Sequence, residues 1–245
     1  MKIFIAGGTS GIGLAVAKRY LNNGHNVAIC GRNQDRIDKI EKSDNLKIYK
    51  LDIYDNEKFI EAVKDFSHGE LDIMLVAAGS YGNSRTKKLS LMEATNMLKT
   101  NIVSTVNAFE IARKLMIPRG KGHIVAISSV AALLDYPGCS VYSKTKRIVI
   151  NLCEAYRAAL SDSGIKVTAI IPGYIDTLKL REISGDVSNK PFIMSEENAA
   201  KIIIDSIEKN VDRVIFPKKM KVLISILSLL PKKILSLILL RKKNG

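Results

Sequence analysis

The chain is poor in the residues that build disulfides and metal centres. It has three cysteines, Cys30, Cys139 and Cys153, and three histidines, His25, His68 and His123. The cysteines show no CxxC or other metal-like spacing, and an odd number suits a reducing compartment. The histidines are scattered, so no metal site is expected. Met1 to Gly7 lacks the longer apolar core and cleavage site of a signal peptide and reads as a first strand, so a cytoplasmic protein is the expectation. There is no internal repeat, no low-complexity linker and no sign of a second domain. Acidic residues are missing altogether after Asp212, whereas Lys218, Lys219, Lys221, Lys232, Lys233, Arg241, Lys242 and Lys243 follow it. These eight supply more than half of the net charge of +14. The excess is therefore a local basic tail, which suits an anionic surface and argues against nucleic acid as a general partner. No aromatic residue interleaves with these lysines, which weakens single-strand binding further.

What is present is a chain of 245 residues with 47% hydrophobic content, enough for one buried α/β core. Short β-branched runs at 2–6, 26–30, 46–50, 72–77, 122–128 and 165–171 alternate with helical periodicity over 11–23, 33–42, 55–66, 90–116 and 141–163. This alternation predicts a doubly wound, Rossmann-type, mostly parallel sheet over residues 1–216, followed by a basic helical tail over 217–245. The polar stretches 80–90 and 174–198 are expected to be irregular. Both follow strands, so both belong at the carboxyl edge of the sheet, where such folds bind ligands.

Gly7-Gly8-Thr9-Ser10-Gly11-Ile12-Gly13 sits between the first strand and the first helix. Glycines there permit a tight turn and close approach of a dinucleotide, whose pyrophosphate meets the free N–H groups of the helix start. The G-x-x-x-G-x-G spacing differs from the common G-x-G-x-x-G, and a plain strand-to-helix turn is the alternative reading. At the end of strand two stands Gly31-Arg32-Asn33, where an acid would bind the ribose hydroxyls of NAD. A guanidinium there can instead grip the 2′-phosphate of NADP, so NADP(H) is the expected cofactor. The alternatives are Arg32 as a solvated turn residue and Asp35 as a ribose ligand.

Tyr142-Ser143-Lys144-Thr145-Lys146 opens a helix, and residues i and i+4 share one face. A free phenol titrates at about 10. Bringing it to neutrality takes about 4 kcal/mol, which one charge at ~4 Å supplies at an effective dielectric near ~20. Tyr-x-x-x-Lys is common by chance, and an exposed helix face is the alternative. Thirteen residues upstream, however, Ser129 ends the apolar run 124–127 and puts a hydroxyl at the same edge.

With the glycine pattern 7–13, Asp52 after strand three, Asn101 in the long fourth helix, Ser129, Tyr142, Lys146 and Pro172-Gly173 in order, the chain resembles the short-chain dehydrogenase/reductase family in its single-domain form, from residue 1 to about 216. The resemblance implies that Tyr142 protonates a carbonyl oxygen as hydride arrives, that Ser129 polarises that oxygen, and that Lys146 holds the nicotinamide ribose and lowers the tyrosine pKa. It implies a water relay behind Lys146 positioned by Asn101, Asp52 and Ile53 at the adenine, Ala78 and Gly79 beside the cofactor, and Ile175 and Thr177 at the carboxamide. Ser128 is the alternative active hydroxyl, and bracing of the helix is the alternative role of Asn101. Two positions depart from the family pattern: Val76-Ala77-Ala78-Gly79 replaces Asn-Asn-Ala-Gly, and Ala6 replaces a frequent threonine. Altered bracing, not lost binding, is the expectation.

The resemblance further implies a homo-dimer or homo-tetramer through the fourth and fifth helices, which carry Ile111, Leu115, Ile148, Ile150 and Leu152. It does not account for the tail. Wound at about 100° per residue, Lys218, Lys221, Ser225, Ser228, Lys232, Ser236 and Lys243 form one narrow polar stripe on an otherwise aliphatic surface broken at Pro231. A membrane-surface helix over 218–243 fits this pattern. Packing against the domain or a second subunit is the alternative. Spanning is disfavoured by the central Lys232 and Lys233. A carbonyl or alcohol substrate, lipophilic or lipid-linked, follows from the membrane version. A non-catalytic NADP(H) sensor or scaffold, and an oxidative or epimerising enzyme with the same site, remain as other readings.

Overall fold

A computed structural model describes residues 1–81 and 89–241, apart from the side chains of Leu240 and Arg241. Residues 82–88 of the loop expected at 80–90, and Lys242 and Lys243 of the tail, lie outside the described residues. In chain order the first elements are β1 (Lys2–Ala6), α1 (Gly11–Asn22), β2 (Asn26–Gly31), α2 (Gln34–Ile37), β3 (Leu46–Lys50), α3 (Asn56–Ser67) and β4 (Ile73–Val76). Then come α4 (Leu91–Leu98), a π turn (Lys99–Val103), α5 (Ser104–Met116), β5 (Gly122–Ile127), α6 (Val141–Ala159), β6 (Ile165–Pro172) and β7 (Ile175–Asp176). The chain continues through α7 (Leu178–Ser184), β8 (Met194–Ser195), α8 (Glu196–Glu208), β9 (Arg213–Phe216), α9 (Lys218–Ser228) and α10 (Lys232–Arg241).

Seven strands form one sheet in the order β3-β2-β1-β4-β5-β6-β9, with every pairing parallel. This is the doubly wound fold expected from the alternation. Such strands are covered on both faces, which is why β1 reads as a nearly unbroken apolar run. Phe4 turns one way, into a cluster with Phe59 and Phe66, while Ile3 and Ile5 turn the other way onto α1 and α8 through Val16 and Ile203. Strand order changes direction between β1 and β4, so the loops after these strands meet at a crevice.

The structure corrects several boundaries. Only Gln34–Ile37 of the helix expected at 33–42 forms, because that segment buries a single apolar side chain, Ile40, and has no stripe to lay on the sheet. The expected 90–116 helix is interrupted by the π turn. The stretch expected to be irregular at 174–198 holds β7, α7 and β8. Helix α8 and strand β9 were not among the expected elements. Ser195 caps α8 by accepting from the N–H of Asn198, and Ala199, Ala200, Ile203, Ile204 and Ile207 form its buried face. Ile111 and Ile150, read as surplus for an oligomer contact, are buried in the chain's own core.

The tail folds as two short helices separated near Pro231. Its Met220, Ile224 and Leu235 pack with Val130, Ala132, Leu134, Tyr136, Ile150 and Ile171 of the domain. Among the described residues no helix is long and apolar enough to cross a membrane, which removes the spanning alternative for 218–241.

Candidate active site

The crevice is built on backbones that approach closely. Gly7 has φ +84, and a Cβ placed there would lie 2.5 Å from the N of Ala78; one on Gly13 would lie 2.5 Å from the Gly7 carbonyl oxygen and 3.0 Å from the Ala77 Cβ. One on Gly8 would meet Ile29 at 2.6 Å. Only glycine fits at these three positions without a shift of backbone or core. The Ala6 carbonyl accepts from the N–H groups of both Ala77 and Ala78, so the backbone joins β1 to β4 where the family pattern places side chains. Gly31 likewise leaves room for Thr9, whose hydroxyl a Cβ would strike.

Beyond Gly79 the polar bracing comes from Asn101. Its Oδ1 accepts from the Ser80 N–H at 2.7 Å, and its Nδ2 donates to the Ser80 carbonyl and to Thr145 Oγ1, each at 2.9 Å. Asn101 is fully buried, and it lies in the π turn, the wider turn that often marks a functional position within a helix. Its side-chain amide thus ties the β4 exit to α6.

Ser140 caps α6 by accepting from the Ser143 N–H. Four residues apart on this helix, Tyr142 and Lys146 face the sheet edge. Lys146 is buried and donates from Nζ to the Ile127 carbonyl at 2.9 Å. A Cβ on Gly79 would lie 3.3 Å from that Nζ, so the amine also backs onto the β4 exit. Ser129 hydrogen-bonds the Tyr142 hydroxyl, whereas Ser128 donates to the Lys146 carbonyl at 2.7 Å and is tied into α6. Of the two serines, Ser129 is the one against the phenol.

Electrostatics here differ from the simple pairing of phenol and ammonium. Burial pushes the Tyr142 phenol up to about 12, with the Ser129 hydrogen bond opposing and Tyr81 adding to the rise. Burial, followed by the charge of Lys179, pulls Lys146 down to about 8. Burial dominates at the phenol, and the Lys146 amine is turned to the Ile127 carbonyl. Tyr142 is therefore firmly protonated at neutral pH.

The remaining expected residues surround the same crevice. Arg32 Nη1 donates to Asp52 Oδ2 at 3.2 Å, and Asp52 Oδ1 accepts from the Tyr54 N–H. Ile53, next in the chain, is buried. The Gly173 N–H donates to the Phe216 carbonyl just after Pro172 ends β6. Ile175 is buried, and Thr177 caps α7 with its methyl 3.7 Å from where a Gly11 Cβ would be.

Three further residues stand here without having been singled out in the sequence. Arg36 Nη1 donates to Ser10 Oγ at 3.3 Å and pairs with Glu182 on α7 at 3.5 Å. Lys179, also on α7, donates to the Gly79 carbonyl, and burial lowers its pKa first, then Arg36 and Arg32. Tyr81 lies edge-on to Tyr142, with ring centroids 4.8 Å apart. Arg36 was findable, since it follows Arg32 by four residues. Lys179 was not, because only the fold of α7 brings it across the crevice.

The buried charge of Lys146 has a thermodynamic signature. Its folded value of about 8 lies below its ordinary 10.5, so between these limits the folded state binds fewer protons and stability rises with pH. Below about 8 the desolvation cost is present in full. Urea unfolding at about pH 7.5 and about pH 9.5 should show wild type gaining stability over Lys146→Met at the higher pH. A pH-independent difference would refute the buried charge. The raised phenol acts oppositely, and only above 10.

Comparison with known proteins agrees with this geometry. Residues 1–187 match the family model described as short chain dehydrogenase. An uncharacterized oxidoreductase of Mycobacterium tuberculosis is 28% identical over 226 residues, covering 88% of each chain. Among solved structures, ElxO with NADP bound is similar at 28% identity with a TM-score of 0.78, over 87% of this chain and 96% of that one. The closed form of serine dehydrogenase complexed with NADP+ is similar at 25% identity with a TM-score of 0.79, over 88% and 94%. With three quarters of its length matched by that model, the chain belongs to the short-chain dehydrogenase family of oxidoreductases.

Proposed function

We propose that the protein is an NADPH-dependent carbonyl reductase that interconverts a ketone and a secondary alcohol. The observation that carries this reading is the Ser129–Tyr142 hydrogen bond beside the buried Lys146, at the mouth of the glycine loop. The residues present fit the cofactor. Gly7, Gly11 and Gly13 with Thr9, Ser10 and Ile12 form a backbone cradle for a pyrophosphate, and Arg32 with Arg36 flanks it with cations suited to a 2′-phosphate. Asp52 and Ile53 take the adenine side; Ala78, Gly79, Pro172, Gly173, Ile175 and Thr177 take the nicotinamide side. The NADP complexes of ElxO and serine dehydrogenase support the same choice.

Bound NADPH supplies the hydride. Tyr142, protonated at neutral pH, donates its proton to the carbonyl oxygen, and Ser129 donates a hydrogen bond to the same oxygen. Lys146 places a positive charge behind the phenolate left by that transfer. Asn101 acts as a positioning residue by fixing the β4 exit against α6. A lipophilic carbonyl compound suits an enzyme whose tail shows the apolar surface described above.

NADPH consumption with a panel of ketones tests the assignment. Tyr142→Phe should lower kcat/KM by about 10²–10⁴-fold with NADPH binding retained; equal rates in the variant would refute the mechanism. Arg32→Ala and Arg36→Ala should each weaken NADPH binding by roughly tenfold to a hundredfold, as loss of a charge-assisted contact predicts. NADH binding should hardly change, and equal losses for both cofactors would remove the 2′-phosphate from the account. We also propose a homo-oligomer through α5, the π turn before it and α6, where Val103 and Ile148 are exposed and Leu115 and Leu152 half-buried. Ile148→Asp should then lower the mass found by sedimentation, and an unchanged mass would exclude that face.

A further inference from the structure

We infer that the outer face of α9 and α10 is a docking surface for an anionic lipid bilayer. A helix that only covers its own domain needs one apolar stripe. Helix α9 has two. Met220, Ile224 and Leu227 pack inward, while Val222 and Ile226, with Leu229 at the C-cap, lie on the opposite side and are 59%, 58% and 83% exposed. Helix α10 repeats the arrangement, with Leu235 and Leu239 inward and Ile234, Leu237 and Ile238 outward. The outward side chains lie on consecutive short helices, flanked by Lys218, Lys219, Lys221 and Lys233, for which no ion pair is formed among the described residues.

Charge chooses the occupant. From 213 to 241 the chain has no acidic residue, so two copies meeting through this face would bring lysines against lysines. An anionic headgroup layer satisfies the same lysines and accepts the aliphatic side chains at the acyl boundary. Each helix, at about 1.5 Å per residue, is roughly half the length needed to cross, so the tail lies in the interface.

The inner side of the tail rests on the segment between Ser129 and Tyr142. Asp135 in that segment pairs with Lys144 of α6 and with Lys232 of α10, Ser236 Oγ donates to the Pro137 carbonyl, and Met220 lies against Gly173. Docking would therefore hold the catalytic rim close to the lipid surface, and the substrate becomes an amphiphilic carbonyl compound dissolved in the bilayer. That last step rests on the reductase reading; the docking surface does not.

Co-sedimentation of the full chain with vesicles tests the surface. Protein should pellet with phosphatidylcholine containing phosphatidylglycerol, stay in solution with phosphatidylcholine alone, and be released by salt. Replacing Lys219, Lys221 and Lys233 with glutamine should weaken binding by roughly fivefold per lysine. The double variant Ile226→Asp, Leu229→Asp should abolish binding while keeping the wild-type circular dichroism and NADPH turnover. No binding by wild type, or equal binding by both variants, overturns the proposal. So does a wild-type mass that falls in the Ile226→Asp, Leu229→Asp variant, which would assign the face to a second copy. Failure of catalysis with binding intact would overturn only the reductase reading.

Discussion

The close contact of Gly7 with Ala78, and of Gly13 with Gly7, sets the geometry on which the rest of the structure depends. Two loops that leave neighbouring parallel strands are pressed together until no side chain fits between them. That contact fixes where α1 begins and therefore where its unpaired N–H groups point. It also fixes where Ser80 emerges, and so where the buried amide of Asn101 must stand to meet it. Thr145 receives the same amide, which sets the rotation of α6 and with it the direction of Tyr142 and Lys146. Replacing the usual asparagines by Val76 and Ala77 keeps this contact tight, and the hydrogen bonds come instead from the Ala6 carbonyl.

Around that contact the charges are arranged with little compensation. Lys146 has one backbone carbonyl, Lys179 another, and Arg36 a single half-exposed carboxylate from α7. Burying Lys146 against a single carbonyl, with two further cations at the same crevice, costs stability, and an anionic ligand relieves that cost on binding. The phenol lies on the other side of the balance. Desolvation that disfavours its ionised form also keeps its proton in place until an acceptor arrives.

Much of this was legible in the sequence, because it rests on residues whose chemistry is local. The glycine loop and six of the seven sheet strands follow from spacing and periodicity, while the Ser129–Tyr142–Lys146 set stands out only through the family resemblance. The short edge strand Arg213–Phe216 did not, since four residues beside a basic segment give too brief a pattern. Helix α8 lies behind a stretch read only as polar, although Ser195 and the alanine and isoleucine positions carried its signal. Lys179 reaches the site through tertiary folding, which no spacing reveals. The depth of burial that pushes the Tyr142 phenol up is likewise invisible in the sequence, which shows only the neighbouring charge. In the tail, the polar stripe was visible; that the aliphatic remainder divides into an inward and an outward half required the packing of Met220, Ile224 and Leu235.

Asp135 joins the tail to α6 through two lysines, and they hold its carboxyl down at about 2. A carboxylate with so low a value stays ionised through any acidification a living cell undergoes, and the stability it lends is present above the ordinary carboxylate range and lost only as the pH falls through about 2. The latch between tail and catalytic segment is thus blind to protons. Both pairs are partly exposed to solvent, so dissolved ions screen them. Ionic strength, not pH, is the variable to which this junction responds.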